Sequence, residues 1–289
     1  MLYQYMSVDT FLKAFTRDGF WVKASCPNEF DDPYECTGLV KGDPKESLIQ
    51  QFFQLRNKDV EVMEYLKGIG VRYYPGLDSW EWNSRSDIVK NWLMKALQER
   101  SFLSQGYRIS CFCGDDHDED LMWAFYGDKS RGVRIAFELN GVGISLFDVE
   151  YLDELPSIEL SELKDLDTGL KPFFDRCVIG KHKSWSFQDE KRVVFQNPDD
   201  PRVTYCESLK MYRWLISLEC IKSIDLGCEV MENFDIRGAI ARKISECGSC
   251  FHLVHSVVRL YNRYGFSKKN EEVEMTLSSG HLSRTVQIR

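Results

Sequence analysis

Between residues 107 and 227 the chain is cut into short β-rich runs, YRISCFC, GVRIAFEL, DVEYL, KRVVFQ and IKSIDLG, separated by turns. A lone strand leaves its backbone donors and acceptors unpaired, so runs this short must pair with one another in a sheet. Helical segments interrupt them. One is expected at about 118–128 and a second at about 171–182, just before WSFQDEKRVVF. After residue 233, Ile236, Ile240 and Ile244 fall at helical spacing, while the continuation FHLVHSVVRLY fits helix or strand equally well. Strands mixed with helices, without strict alternation, predict the α+β class: a mixed β core of short strands with flanking helices.

The first hundred residues read differently. Residues 1–6 predict a strand, and Val8, Phe11, Leu12 and Phe15 then keep helical spacing up to Gly19, after which FWVKAS returns as a strand. PNEFDDPYE is too polar and turn-prone for either element and reads as a loop anchored by Phe30 and Tyr34. Amphipathic helices are expected at 45–67 (Leu48, Phe52, Leu55, Val62, Leu66) and 86–99 (Ile88, Trp92, Leu93, Ala96, Leu97), with a loop over YYPGLDSWEWNSRSD. No repeat or linker divides the 289 residues. The expectation is one domain over 1–289, with a helical insertion at about 45–105 and a C-terminal extension from about 233 to 289.

Composition removes several classes. With 43% hydrophobic residues the chain has the profile of a folded protein, and no apolar run of about 18 residues marks a membrane span. Asp and Glu outnumber Lys and Arg by 45 to 37, a balance that disfavours a nucleic-acid coat. MLYQYMSVDT has neither the cationic nor the apolar region of a signal peptide, so a cytoplasmic protein with reduced thiols is expected. Cys247, Cys250, His252 and His255 crowd into nine positions, whereas structural zinc sites separate their ligand pairs by about a dozen residues or more. No metal is expected there.

Three clusters carry polar chemistry. Glu29, Asp31, Asp32 and Glu35 could offer oxygens to a hard cation, but the D-x-D-x-D-G pattern is missing and aspartates capping a turn explain them better. A metal-dependent nuclease built on Asp31, Asp32 and Glu35 would need further carboxylates from elsewhere. Trp123 and Tyr126, three apart on a short helix, share a face, and Arg131 follows in the turn; such a set suits a planar base and a phosphate, or simply packs on the sheet. In KHKSWSFQDEKRVVF, a strand over QDEKRVVF puts Gln188 and Glu190 on one face, with Asp189 and Lys191 opposite. There the amide orients an acceptor and the carboxylate stabilises a cationic, sugar-like transition state; alternation of this kind at a strand edge also serves solubility alone.

Five blocks in this order resemble the bacterial family called domain of unknown function 2971: Leu2–Tyr5, Phe30–Glu35, Cys111–Cys113, Leu121–Gly127 with Gly132, and Lys181 with Trp185, Phe187, Gln188, Glu190 and Arg192. Ile221–Gly227 is similar to a further family strand. The chain departs from the family pattern at Gln4, Asp31, Cys113, Phe125 and Gln188, where Lys or Arg, Asn, Ser, His and Glu are usual. The order of blocks is similar in turn to the ADP-ribosyltransferase layout. That likeness implies Tyr3 and Tyr5 on the strand that binds a nicotinamide dinucleotide, Ser110 beneath the nicotinamide ribose, Gln188 and Glu190 as the late acidic step, and Trp123 and Tyr126 as aromatic walls. The blocks add Asp32, Glu35, Arg131, Lys181, Trp185 and Arg192 as ligand-binding positions. The implied activity is transfer of ADP-ribose, or hydrolysis of the N-glycosidic bond, with NAD as co-substrate and a protein or nucleic acid as acceptor, in a toxin-like or anti-phage effector. The five departures favour the alternative, a non-catalytic binding or sensor module that keeps the pocket for a nucleotide-like small molecule. On the enzymatic reading, Tyr3, Ser110, Trp123 and Glu190 should converge on one concave site.

Overall fold

The computed structural model describes residues 1–56, 73–74, 79–80, 85–197, 199–247, 254–259, 270–278 and 281–286. It is an α+β protein. The chain divides into two compact units, one formed by Met1–Ser25, Arg108–Val149 and Ser184–Arg289, the other by Cys26–Tyr107 and Glu150–Lys183. The expected insertion at 45–105 therefore belongs to a larger unit assembled from two stretches of sequence.

The first unit is built on a sheet of nine strands among the described residues. Their order is His281–Val286, Asn270–Ser278, Val254–Arg259, Ile221–Leu226, Val133–Phe137, Leu2–Met6, Arg108–Cys113, Glu190–Phe195 and Leu146–Asp148. Only the Ile221–Leu226 and Val254–Arg259 pair is parallel. The helix Phe234–Glu246 lies between those two strands in sequence, as a parallel connection requires. FHLVHSVVRLY thus contains a strand. Leu2, Met6, Val133, Ile135, Phe137, Phe112, Val193, Phe195, Ile224 and Leu226 all enter one apolar core with Phe11, Phe15, Phe20 and Trp214.

The N-terminal helix is shorter than its periodicity suggests. It runs Val8–Ala14, capped by the Ser7 hydroxyl, which accepts from the Thr10 N–H at 3.2 Å. Phe15 and Thr16 then pair with Phe20 and Gly19 as a hairpin, so the helix stops before Phe15 rather than at Gly19. Gly19 has φ +148°, and a Cβ there would lie 2.2 Å from the Ile216 carbonyl oxygen. Glycine is needed for that close approach between strands.

The second unit contains the helices Glu46–Arg56, Arg85–Gln98, Ser101–Gly106 and Leu166–Ile179 and two short parallel strand pairs, Leu39–Lys41 with Ser157–Glu159 and Glu150–Leu152 with Gly180–His182. Leu48, Phe52 and Leu93 are buried, as the apolar faces of the expected helices require. Residues 57–67 of the first of those helices lie outside the described residues. Within the expected loop at 73–87, Tyr73–Tyr74 pairs antiparallel with Ser79–Trp80. The helix expected at 171–182 begins at Leu166 and ends at Ile179, because Gly180–His182 is drawn into pairing with Glu150–Leu152.

Candidate functional site

Register sorts the first unit's side chains. Tyr3 stands opposite Cys113, and Cys113 opposite Glu190; on the neighbouring strands Tyr5 stands opposite Arg134, and Arg134 opposite Asp225. Side chains alternate along a strand, so Tyr3, Tyr5, Cys111, Cys113, Arg134, Glu190, Arg192 and Asp225 share one face of the sheet. Two strand spacings separate the Tyr3 and Glu190 backbones, about 10 Å. The opposite face carries the apolar core.

A polar network crosses the shared face. The His117 ring stands 5.1 Å from the Tyr3 ring and 5.6 Å from the Tyr5 ring. His117 Nδ1 lies 2.5 Å from the Gly114 carbonyl oxygen. A carbonyl only accepts, so Nδ1 carries a proton; in the neutral ring that leaves Nε2 to accept from the Tyr5 hydroxyl, 2.6 Å away. Arg134 donates to the Tyr5 oxygen at 3.3 Å and to Asp225 at 2.7 Å, and pairs with Glu119. Burial raises the Tyr5 phenol well above its usual range against the opposing pull of Arg134, so the hydroxyl keeps its proton. Burial opposes the Arg134 charge, but Asp225, Tyr5 and Glu119 outweigh it and hold the guanidinium more firmly protonated. The buried Trp123 packs edge-on against Tyr5 at 5.0 Å, and its Nε1 has no hydrogen-bond partner among the described residues.

The other expected residues of this unit are placed as follows. Glu190 and Arg192 form an ion pair of 2.6 Å, both buried. Gln188 does not lie on the strand. It ends the 3-10 turn Lys183–Gln188, and Asp189, with φ +41°, turns the chain before the strand starts at Glu190. Buried Gln188 donates to the Tyr126 hydroxyl at 2.6 Å. The helix carrying Trp123 ends at Phe125, so Tyr126 is its exposed C-cap while Trp123 is buried. Trp185 and Phe187 adjoin at 5.9 Å, and Phe187 lies 5.9 Å from Phe125, which is 64% exposed. Arg131 is exposed and pairs with Asp128.

Ser110 departs most from expectation. It projects from the core face of its strand, donating to the Lys23 carbonyl at 2.6 Å and accepting from Trp214 Nε1 at 2.9 Å. Tyr3 and Glu190 lie on the other face, so the four-residue convergence does not include it.

Asp32, Glu35 and Lys181 belong to the second unit. Asp32 accepts from the Tyr34 N–H at 2.8 Å, the capped turn expected of this loop. Tyr34 is not an anchor, being 65% exposed. Arg100 holds the loop instead, donating to the carbonyls of Pro27, Phe30 and Asp32 at 3.0, 2.9 and 2.5 Å. Glu35 and Lys181 are buried and 3.5 Å apart. Among the described residues no three His, Cys, Asp or Glu side chains gather where they could hold a metal. Cys250 and His252 lie outside the described residues.

Sequence reasoning passed over His117, Arg134 and Asp225. His117 had a signal, a lone imidazole within DDHDED, beside the block that carries Trp123. Arg134 and Asp225 had none: Arg134 is one polar residue in the apolar run VRIAF, and Asp225 is one of three polar residues in IKSIDL. A comparison with family models, curated proteins and solved structures finds no match, so the likeness to a family rests on the five sequence blocks alone.

Proposed function

We propose that the polar face of the first unit is the centre of an NAD-using enzyme that breaks the nicotinamide–ribose bond, by hydrolysis or by transfer of ADP-ribose to a protein or nucleic acid, in a toxin-like or anti-phage effector. Its main support is the row Tyr3, Cys113 and Glu190, which places a tyrosine and a glutamate on one face with backbones about 10 Å apart. Glu190 stabilises the oxocarbenium-like transition state, with Arg192 as its countercharge. Tyr3 and Tyr5 supply aromatic surface, and Gln188 orients Tyr126. Ser110 takes no part.

The second reading, a non-catalytic module for a nucleotide-like ligand, draws on the closure of Glu190 by Arg192 and its burial. Glu190→Gln separates the two. The amide keeps an oxygen for the Arg192 N–H but loses the charge. On the enzymatic reading NAD turnover per folded molecule falls by on the order of 10²–10³, separately from any drop in melting point caused by leaving the buried Arg192 charge uncompensated. Turnover equal to wild type assigns the face to binding alone.

A further inference from the structure

We propose that Tyr5 and His117 form a proton relay on this face: the Tyr5 oxygen takes the proton of the attacking nucleophile while the Tyr5 proton passes to His117 Nε2. The relay rests on the reading of the face as an NAD-using centre. Three observations carry it. The Gly114 carbonyl fixes the tautomer of the neutral His117 ring, with the proton on Nδ1 and Nε2 as the acceptor. The Tyr5 hydroxyl already donates to that nitrogen at 2.6 Å, a distance suited to direct proton transfer. The Arg134 N–H touches the Tyr5 oxygen at 3.3 Å and steadies the negative charge that grows there as its proton leaves. Arg134 is balanced by Asp225 and Glu119, so it remains in place without adding net positive charge beside the imidazolium that forms.

Tyr5 shares its face with Tyr3 and Glu190, whereas a purely packing tyrosine belongs on the core side with Leu2 and Met6. Trp123, edge-on to the ring, fixes its orientation. His117 is partly exposed and can return its proton to water. The step balances. The oxygen of water or of an acceptor hydroxyl bonds to the anomeric carbon, and the bond from that carbon to the nicotinamide nitrogen breaks. The electron pair leaves with the nitrogen, which becomes neutral, and the nucleophile's proton ends on His117 by way of Tyr5. Tyr5 touches the nucleophile; His117 acts through it.

The test measures NAD consumption by the full chain and by Tyr5→Phe, His117→Gly and Glu190→Gln. Tyr5→Phe keeps the ring against Trp123 and removes only the hydroxyl. The relay predicts a kcat loss on the order of 10² for Tyr5→Phe and for His117→Gly with KM little changed. Added imidazole should restore His117→Gly several-fold and leave Tyr5→Phe unaffected. Activity lost in Glu190→Gln but retained in Tyr5→Phe overturns the relay and leaves the enzymatic reading standing. A His117→Gly loss that imidazole does not relieve assigns the ring a structural role and also overturns the relay. A wild-type chain that leaves NAD intact overturns both. Should His117→Gly fail to fold, Tyr5→Phe alone decides.

Discussion

Ser110 illustrates how much turns on which face of a strand a residue occupies. Its hydroxyl satisfies the Trp214 indole N–H, which is buried. Ser110→Ala would leave that donor without its acceptor, a penalty of about 1–3 kcal/mol. The expected outcome is a melting point lower by several degrees with NAD turnover per folded molecule unchanged. The ADP-ribosyltransferase layout, in which this serine supports a ribose, forecasts a turnover loss instead. Measuring both quantities on the one variant distinguishes the core-face position from the catalytic one. Glu190 and Arg192, two residues apart on the other face, show the converse: what reads as solubility at a strand edge is a buried ion pair. Burial of both partners means that neither tolerates loss of the other as an exposed pair would.

At the scale of elements, the short helix Glu119–Phe125 organises most of the polar face. The Asp118 carboxylate caps it, accepting from the N–H groups of Asp120 and Leu121 at 3.0 and 3.1 Å. Seven residues are too few for a helix to hold without such help. From it Glu119 reaches Arg134 and Trp123 reaches Tyr5. Asp118→Ala is expected to cost about 1 kcal/mol of stability, and Asp118→Asn, which keeps a capping oxygen, to recover most of it. Thermal melts of the two variants check this. Equal losses in both would mean that charge at the helix start, not the cap geometry, is what counts. The turn that follows is tightly closed: a Cβ on Gly132 would lie 2.1 Å from the Met6 carbonyl oxygen. Glycine at this position therefore has a packing reason that needs no ligand.

At the scale of the whole molecule, buried proton-bearing groups make stability fall at alkaline pH. Burial pushes up the Cys177 thiol in the second unit, with neighbouring Cys36 adding to the effect, and likewise the Tyr107 and Tyr5 phenols. In each case the folded chain holds its proton to higher pH than the unfolded chain does. Above the thiol's ordinary value of 9.0 the unfolded state therefore loses protons first. Stability is fully present below that pH and falls as pH rises above it, by at most about 1.4 kcal/mol per pH unit for one group. Cys177→Ala should flatten the stability profile between roughly pH 9 and 10, where the thiol titrates before the phenols. Denaturant unfolding at closely spaced pH values reads the slope directly, and a slope unchanged in the variant would refute the assignment.

Much of the architecture was legible in local pattern. The strands at Leu2–Met6, Arg108–Cys113, Val133–Phe137, Glu190–Phe195 and Ile221–Leu226 announce themselves as β-rich runs between turns, and Ile236, Ile240 and Ile244 place the helix Phe234–Glu246. The α+β class follows from those two signals. Local pattern failed wherever a distant partner decided the outcome. Phe15 leaves a helical register because a hairpin partner at Phe20 offers hydrogen bonds. The second helix expected from its pattern gives up Gly180–His182 to the strand Glu150–Leu152. Gln188 misses the strand because Asp189 turns the chain. The candidate site was legible as residue types, Tyr3, Tyr5, Trp123 and Glu190, but not as an arrangement. His117 and Arg134 lie 112 and 129 residues from Tyr5 and Asp225 lies 91 from Arg134, so a loop contact and strand pairings that no window of sequence contains bring them together. The sequence by itself determined most of the stretches that form strands and helices, because periodicity is a property of neighbours in the chain. Which face each side chain took, and which charges met, only the tertiary structure decided, because register depends on a strand's partner as well as on the strand itself.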